Sequence, residues 1–413
     1  MTGRPVPGNR WDVLDGVWPD AQPRVSVVVV HYEQHDALAR TLAALARQTL
    51  APAEVIVADD GSARPPALPG GVRIVRQEDR GNRTASARNL GAAEATGDVL
   101  CFLDADTAPE PDCLRRLTRL PALAPEAVTV GRRRYAERDG TVLPEPAWLA
   151  EGWARGGDLL HADDRSYRYI ISAVLATSRW FFEAVGPFDA SFNAYGGEDW
   201  DWAYRAWLAG AVLAHVPDAV AWHDGPDWSG RPGAADARQA VKNDETLRLA
   251  RTVAVPGSRG HGVRTLRPDV AVTLAGASSP GAAFLCVDSV LAALPEATVV
   301  VPDAVAGVFA GDPRVGTEPV PGARILVELP GPVRVTGDGL CAAVAEAGAA
   351  DRNELTSGDG TVLAVLRSAR AVAREGRWGR ADGFERSRRP AAGLEPITGE
   401  PDLEAYLGGW PEG

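Results

Sequence analysis

Apolar residues at the start of the chain follow a strand, helix, strand order. Residues 25–30 are a continuous, mostly β-branched run, which is typical of a strand buried on both faces of a parallel sheet. Apolar residues then recur at helical spacing over 36–48, and 54–58 is predicted to be the next strand. The pattern therefore predicts a βαβ unit.

The alternation continues along the chain. A strand at 72–75, a helix at 85–95 and a strand at 99–103 follow. Strands that alternate with helices predict an α/β fold with a Rossmann-like, doubly wound sheet, and such sheets bind ligands beyond the carboxyl ends of their strands. Polar clusters occupy those ends: Asp59-Asp60 follows the second strand, and Asp104-Ala105-Asp106 follows the fourth.

A second set of strands and helices begins near residue 270. Strand, helix, strand and Asp recur in the order of the opening segment, but Pro330-Gly331-Pro332 stands where the first copy has Asp104-Ala105-Asp106. The second region is either a degenerate second copy or an unrelated βαβ domain, and in both cases we expect no chemistry there. The predicted divisions are an N-terminal extension (1–22), a first domain (23–255), a smaller α/β domain (268–390) and a tail (391–413).

Composition agrees with two domains and limits the partners. A length of 413 residues exceeds what one core usually supports, and a 45% hydrophobic fraction suits a globular protein. A net charge of -12 argues against nucleic acid or an anionic membrane as the main partner. The scattered cysteines indicate neither a zinc site nor disulfides. The lack of a long apolar run predicts a cytoplasmic protein without a transmembrane segment.

Two acidic motifs suggest transfer chemistry. Asp104 and Asp106 at a strand end can hold Mg²⁺ or Mn²⁺, which bridges diphosphate oxygens, although aspartates are also common in turns. The segment 195–202, Tyr-Gly-Gly-Glu-Asp-Trp-Asp-Trp, opens a predicted helix. A carboxylate there could accept the proton of a hydroxyl that attacks a sugar, or could simply stabilise the helix N-terminus.

Other side chains near these motifs could serve a ligand or the fold. Tyr195 and Trp200 offer flat faces to a sugar ring, whereas Trp202 and Trp207 suit core filling equally well. His223 follows a short strand and could ligate Mn²⁺, but single histidines are more often structural. Arg88, on the helix before the Asp104 strand, could pair with a diphosphate or with the acidic cluster.

Residues 25–62, 85–107 and 192–224 together resemble the inverting family-2 glycosyltransferases of GT-A fold. The resemblance spans 24–224 and implies a nucleotide-sugar donor, with a UDP-sugar favoured, a hydroxyl acceptor on a glycan, lipid-linked or small molecule, and Mn²⁺ or Mg²⁺. It also implies donor-side roles, because residues matching Tyr32 and Asp60 contact the nucleobase in the family. The match places Arg88 near the nucleotide, Asp104 near the ribose and metal, and Asp106 on the metal.

The Tyr-Gly-Gly-Glu-Asp segment resembles the acceptor-side motif of β-galactosyltransferases and chondroitin-type polymerases. The resemblance implies that Asp199 is the catalytic base, that Glu198 binds acceptor hydroxyls and that His223 ligates the metal. With the aromatic faces described above, the predicted acceptor-binding residues are Tyr195, Glu198 and Trp200.

Departures from the family pattern keep two rivals open. His31-Tyr32-Glu33 replaces the commoner Pro-x-Tyr-Asn type opening, and the sequence has no QxxRW-like motif. One rival is a sugar nucleotidyltransferase, which usually carries a Gly-rich, basic loop after its first strand. The other is a non-catalytic sugar- or nucleotide-binding scaffold. The sequence leaves the oligomeric state, including a homo-oligomer, undecided.

Overall fold

A computed structural model describes residues 3–193, 196–227, 235–260, 262–263, 265 and 267–408. The chain divides into two compact units, Met1–Leu249 and Ala250–Gly413. Among the described residues, no helix is long and apolar enough to cross a membrane.

The first unit alternates strands and helices, as the apolar pattern predicts. Its strands are β1 (Val25–His31), β2 (Glu54–Asp59), β3 (Val72–Arg76), β4 (Val99–Asp104), β5 (Thr107–Pro109), β6 (Ala127–Ala136), β7 (Val142–Leu143), β8 (Val174–Ser178) and β9 (Val212–Asp224). Its helices are α1 (His35–Leu45), α2 (Thr84–Ala93), α3 (Cys113–Leu117), α4 (Arg119–Leu123), α5 (Ala147–Arg155), α6 (Arg179–Val185), α7 (Glu198–Leu208) and α8 (Ala235–Thr252).

These strands form one mixed sheet in the order β3-β2-β1-β4-β8-β6-β9-β5, with β7 paired to β6. The first four are parallel, β8 is antiparallel to β4 and β6, and β6 and β9 are parallel. Val27, Val28 and Val29 of the central strand β1 are fully buried, because helices cover both faces of a doubly wound sheet. The α/β prediction and the four opening strands are confirmed.

The extension before β1 belongs to the core of the first unit. Val6 and Leu14 are buried against Leu123 and Val212. The Asn9 amide is also buried, and its Nδ2 donates to the Leu159 carbonyl at 2.6 Å and to the Leu213 carbonyl at 2.9 Å. This segment therefore ties β9 to the chain near α5.

The second unit has a seven-stranded sheet and a two-stranded one. Its strands are β10 (Val270–Leu274), β11 (Thr298–Val300), β12 (Val315–Gly316), β13 (Ile325–Leu329), β14 (Val333–Val335), β15 (Ala350–Thr356), β16 (Val362–Ser368), β17 (Glu385–Pro390) and β18 (Leu394–Pro396). Its helices are α9 (Pro280–Ala293), α10 (Asp303–Ala306), α11 (Gly339–Glu346), α12 (Ala369–Trp378) and α13 (Leu403–Tyr406).

The larger sheet of the second unit has the strand order of the first. The order β12-β11-β10-β13-β16-β15-β17 corresponds to β3-β2-β1-β4-β8-β6-β9 strand for strand, both in chain order and in parallel or antiparallel sense. A local detail repeats as well. Ser178 ends β8 and caps α6 by accepting from Phe181 N, and Ser368 ends β16 and caps α12 by accepting from Ala371 N.

Candidate active site

The Asp-Ala-Asp turn lies at the carboxyl end of β4. The buried Ala105 anchors it, because its backbone N–H donates to the Val30 carbonyl at 2.9 Å. Strand β5 then pairs with β9 so that Thr107 lies opposite His223. This register brings the ring of His223 to Asp106, with 3.5 Å between His223 Nε2 and Asp106 Oδ2.

The hydrogen bond on the far side of the His223 ring sets its tautomer. Nδ1 lies 3.0 Å from the Gly225 carbonyl oxygen, which can only accept, so Nδ1 carries the proton. In the neutral ring, the Nε2 lone pair then faces the Asp106 carboxylate. A lone pair and a carboxylate oxygen at this distance repel each other unless a proton or a cation lies between them. An imidazole nitrogen beside a carboxylate oxygen is a ligand pair that suits Mn²⁺.

An open cavity of about 560 Å³ adjoins Asp106, and its lining includes Gln34, Glu137 and Gly225. Gln34 Nε2 donates to Asp106 Oδ2 at 2.8 Å, so the carboxylate is oriented from the α1 side as well. Among the described residues, no group of three His, Cys, Asp or Glu side chains is arranged to hold a metal. Asp106 and His223 would offer a cation only two protein ligands, and a bound molecule or water would have to supply the others.

A buried arginine connects the Asp-Ala-Asp turn with α7. Arg88 Nη2 donates to Asp104 Oδ1 at 2.8 Å and Nη1 donates to Glu198 Oε1 at 2.7 Å. Although burial opposes its charge, Asp104 and Glu198 hold the pKa of Arg88 above its usual value. Of the two partners proposed from the sequence, Arg88 therefore contacts the acidic cluster. Arg133 Nη1 lies 4.0 Å from Asp104 Oδ2 and gives that carboxylate a second cation.

Two glycines shape the start of α7. Gly196 and Gly197 have φ angles of 89° and 94°, values that L side chains rarely adopt. A Cβ on Gly196 would lie 2.8 Å from Glu245 Oε2, so the buried carboxylate of Glu245, on α8, packs directly on this turn. Lys242 Nζ donates to that carboxylate at 2.9 Å.

The first turn of α7 holds the three acidic side chains expected there, in different surroundings. Asp201 is paired with Arg205 at 2.8 Å, and Glu198 is held by Arg88. Asp199 Oδ2 accepts from the Ser172 N–H at 3.3 Å. Burial, followed by the negative charge of Glu198, raises the pKa of Asp199 to about 7. Its carboxyl group can therefore exchange a proton near neutral pH.

Tyr32 and Asp60, which were predicted to contact a nucleobase, directly follow β1 and β2. Tyr32 is 47% exposed, and its hydroxyl donates to Asp79 Oδ2 at 3.2 Å. Asp60 is buried, accepts from Arg83 N at 2.8 Å, and has a pKa raised by burial. The neighbouring Asp59 points into the protein, where it binds His31 Nδ1 at 2.7 Å. Both carboxylates of this pair are therefore bonded within the protein, Asp60 to Gln77 and Arg83 and Asp59 to His31.

The aromatic residues of the acceptor segment separate into two groups. Trp202 and Trp207 are buried at 0% and 2% exposure, so they fill the core. Trp200 is half-buried, and Lys242 Nζ lies 5.5 Å from the centre of its ring. Tyr195 lies outside the described residues.

Sequence reasoning did not identify three of these side chains. Gln34, Arg133 and Glu245 contact Asp106, Asp104 and the Gly196 turn through the folded chain alone. Each comes from a segment with no motif of its own. The sequence offered a signal for two of them: Gln34 is an uncharged polar residue just before α1, and Arg133 belongs to a run of three arginines in β6.

The site thus combines an Asp-x-Asp turn, a facing histidine and an acidic helix at the carboxyl edge of a mixed sheet. Residues 26–171 match the model of Glycosyl transferase family 2. This segment of the first unit is therefore similar to family 2 glycosyltransferases, the family that the sequence motifs resemble.

The chain spans less than half the length of the curated relatives described here. Chondroitin synthase of Escherichia coli is 29% identical over 257 residues, which cover 53% of this chain and 37% of that protein. Validoxylamine A glucosyltransferase of Streptomyces hygroscopicus subsp. limoneus is 34% identical over 217 residues, covering 44% and 48%. Among solved structures, that of GalNAc-T7 with UDP, GalNAc and Mn²⁺ has a TM-score of 0.40 at 21% identity, covering 52% of this chain and 46% of that one.

Proposed function

We propose that the first unit transfers a sugar, with inversion, from a nucleoside diphosphate sugar to an acceptor hydroxyl. The observation that carries this proposal is the connected set of groups at the carboxyl edge of the sheet. Asp106 faces His223, and Arg88 links Asp104 to the helix that carries Asp199. Metal, diphosphate and proton acceptor would then share one side of the molecule.

Asp106 and His223 would hold Mn²⁺ or Mg²⁺ in this proposal. The ion would supply positive charge to the departing diphosphate. Gln34 orients the Asp106 carboxylate, and the Gly225 carbonyl fixes the His223 tautomer, so both ligands are set before the donor binds.

Asp199 is proposed as the general base. The acceptor oxygen forms a bond to the anomeric carbon while the bond from that carbon to the diphosphate oxygen breaks, and Asp199 receives the hydroxyl proton. The Ser172 N–H orients one oxygen of Asp199. A pKa of about 7 leaves a substantial fraction of the side chain ionised at neutral pH, yet basic enough to accept a proton.

The donor and acceptor positions keep their proposed roles, with one refinement. Tyr32 and Asp60 would contact the nucleobase, uracil being favoured, and Asp104 the ribose. The Arg88 ion pair supports a positioning role for Glu198, since it occupies one of its carboxylate oxygens and leaves less of the group for an acceptor hydroxyl. Trp200 remains a candidate acceptor contact.

We further propose that residues 23–255 form the catalytic domain and that 268–390 is a degenerate, non-catalytic copy of it. The shared strand order and the repeated serine caps of α6 and α12 support a common origin. The Pro330-Gly331-Pro332 turn after β13 offers no carboxylate to a cation.

A donor screen tests the proposed function. The protein is incubated with UDP-, GDP- and dTDP-sugars, with and without Mn²⁺, and thermal unfolding and slow donor hydrolysis are measured. We expect one nucleotide class to stabilise the protein only with Mn²⁺, and Asp106→Asn to abolish that effect. Asp218→Asn is the control, because Asp218 is exposed on β9. The absence of stabilisation and hydrolysis with every donor would favour a non-catalytic scaffold.

A further inference from the structure

An exposed tryptophan of the first unit contacts other aromatic rings, one of which, Trp200, directly follows the candidate base in the chain. Trp148, on α5, is 47% exposed. Its ring is stacked on Tyr169, with 6.5 Å between centroids and 27° between planes, and meets Trp200 edge to face at 6.0 Å. Tyr167 meets the other side of this group, 6.1 Å from Trp200. The four rings form one cluster, which we call the Trp148 platform; Trp148 is its exposed ring, Tyr169 and Trp200 are half-buried, and Tyr167 is buried.

The backbone of α5 holds this platform in place. Gly152 lies one helical turn after Trp148, and a Cβ there would lie 2.0 Å from the ring of Tyr169. The missing side chain lets the ring of Tyr169 lie against the helix backbone, where it also contacts the ring of Trp148. Trp153 Nε1 donates to the Tyr169 carbonyl at 3.1 Å and fixes the short 3-10 helix (Ser166–Tyr169) that carries it. The exposed indole therefore has little freedom to collapse.

The platform is continuous with the proposed site. Trp200 follows Asp199 on α7, and Ser172, which binds Asp199 through its N–H, is three residues after Tyr169. Lys242 lies over Trp200 and is half-exposed, so its ammonium group adds hydrogen-bond donors at the rim. A flat apolar surface with a polar rim suits a ring that has one apolar face and hydroxyl groups at its edge.

We propose that the Trp148 platform is the acceptor subsite and that it selects acceptors with a six-membered polyhydroxylated ring, a pyranose or a cyclitol. This inference rests on the proposed function, since it assigns the acceptor of the same site. The apolar C–H face of the ring lies on Trp148, and one hydroxyl at the ring edge is directed to Asp199.

Other exposed tryptophans of the first unit have different surroundings and provide a control. Trp18 is covered by Arg115, with 4.2 Å from the guanidinium carbon to the ring centre. Trp180 on α6 is 38% exposed and lies beside Phe181, with 6.0 Å between centroids. Trp180→Ala therefore removes a comparably exposed indole that is not one of the four platform rings.

Saturation-transfer NMR with simple ring compounds tests the subsite, so the natural acceptor need not be identified first. The probes are methyl β-D-glucopyranoside, methyl β-D-galactopyranoside and myo-inositol, with linear sorbitol for comparison. Each is measured with Mg²⁺, because paramagnetic Mn²⁺ would broaden the ligand signals, and with the nucleoside diphosphate whose sugars stabilise the protein in the donor screen. We expect saturation of the C–H protons on one face of at least one ring and little for sorbitol. In Trp148→Ala this signal falls about fivefold or more, Trp148→Phe restores part of it, and Trp180→Ala retains it.

Binding of the nucleoside diphosphate separates the subsite proposal from the proposed function. If none of UDP, GDP and dTDP binds the wild-type protein with Mg²⁺ or Mn²⁺, the proposed function fails. If the nucleotide binds wild type and Trp148→Ala equally, the variant is folded. Equal ring signals in the two proteins, or no ring signal from any probe, then overturn the subsite alone.

Discussion

Replacement of Arg88 by methionine tests the connection between the Asp-Ala-Asp turn and α7. The variant keeps most of the side-chain volume but removes the cation that lies between Asp104 and Glu198. In the native protein the Arg88 guanidinium lies 2.8 Å from Asp104 Oδ1 and 2.7 Å from Glu198 Oε1. In the variant both carboxylates would remain at the sheet edge without this shared partner. We expect lower stability and a displaced α7.

The size of the loss follows from burial. Breaking a buried ion pair by removal of one partner costs about 3–5 kcal/mol. The side chain of Glu198 is 9% exposed, but that of Asp104 is 25% exposed, so water can partly solvate the second carboxylate. Arg133 also remains near Asp104. We therefore expect the lower end of the range, about 3 kcal/mol.

Urea unfolding of the full chain, followed by tryptophan fluorescence, measures this loss for the unit that holds most tryptophans. Arg73→Met is the matched control, because Arg73 is 45% exposed and pairs with Glu54 and Glu94 at the surface. Its expected cost is about 0–1 kcal/mol. Equal losses in the two variants would refute the reasoning.

Three further changes have defined outcomes. Asp106→Asn should abolish Mn²⁺-dependent UDP binding in calorimetry, because it removes an anionic ligand. Since burial and Glu198 raise the pKa of Asp199 to about 7, the transfer rate should rise with pH through about 7. Glu245→Gln removes another charge that raises that pKa and should move this limb to lower pH. Asn9→Ala leaves buried carbonyls unpaired and should cost about 1–3 kcal/mol in urea unfolding.

Each of these predictions has a control and a contrary result. Asp218→Asn should leave UDP binding intact, and retention of Mn²⁺-dependent binding in Asp106→Asn would refute the ligand assignment. Glu183→Gln, at an exposed position on α6, should not move the pH profile. Arg88 and the Ser172 N–H, which lower the pKa of Asp199, are unchanged in both Glu245→Gln and Glu183→Gln. Asn243→Ala on the surface of α8 should change stability by less than about 0.5 kcal/mol. If Asn9→Ala changed the stability as little as Asn243→Ala does, the hydrogen bonds of Asn9 to the Leu159 and Leu213 carbonyls would not anchor β9.

The α/β order of the first unit could be predicted from the sequence because each element has a clear apolar period. The β-branched run of β1 and the helical spacing in α1 each determine local structure without help from distant residues. The same holds for the second set of strands, where β10, β11 and β13 lie where the apolar runs predict them. The antiparallel strands β6 and β8 carry no comparable signal, since arginines interrupt one and the other is short.

The candidate site was only partly predictable. Motifs identify Asp104, Asp106 and Asp199 because acidic residues at strand and helix ends are recognisable locally. The contacts of Arg88 with Glu198 and of Glu245 with Gly196 join residues far apart in the chain, and no local pattern encodes them. The mutual positions of these side chains follow from the register of β5 on β9 and the packing of α8.

The transfer rate of Asp199→Asn, measured with the most active donor and acceptor together with UDP affinity, tests the central claim most directly. Asparagine keeps the shape of the side chain but cannot accept the acceptor proton. We predict a loss of about 10²–10⁴-fold in transfer with unchanged Mn²⁺-dependent UDP binding. Transfer close to the wild-type rate at equal UDP affinity would show that Asp199 is not the base and would contradict the account.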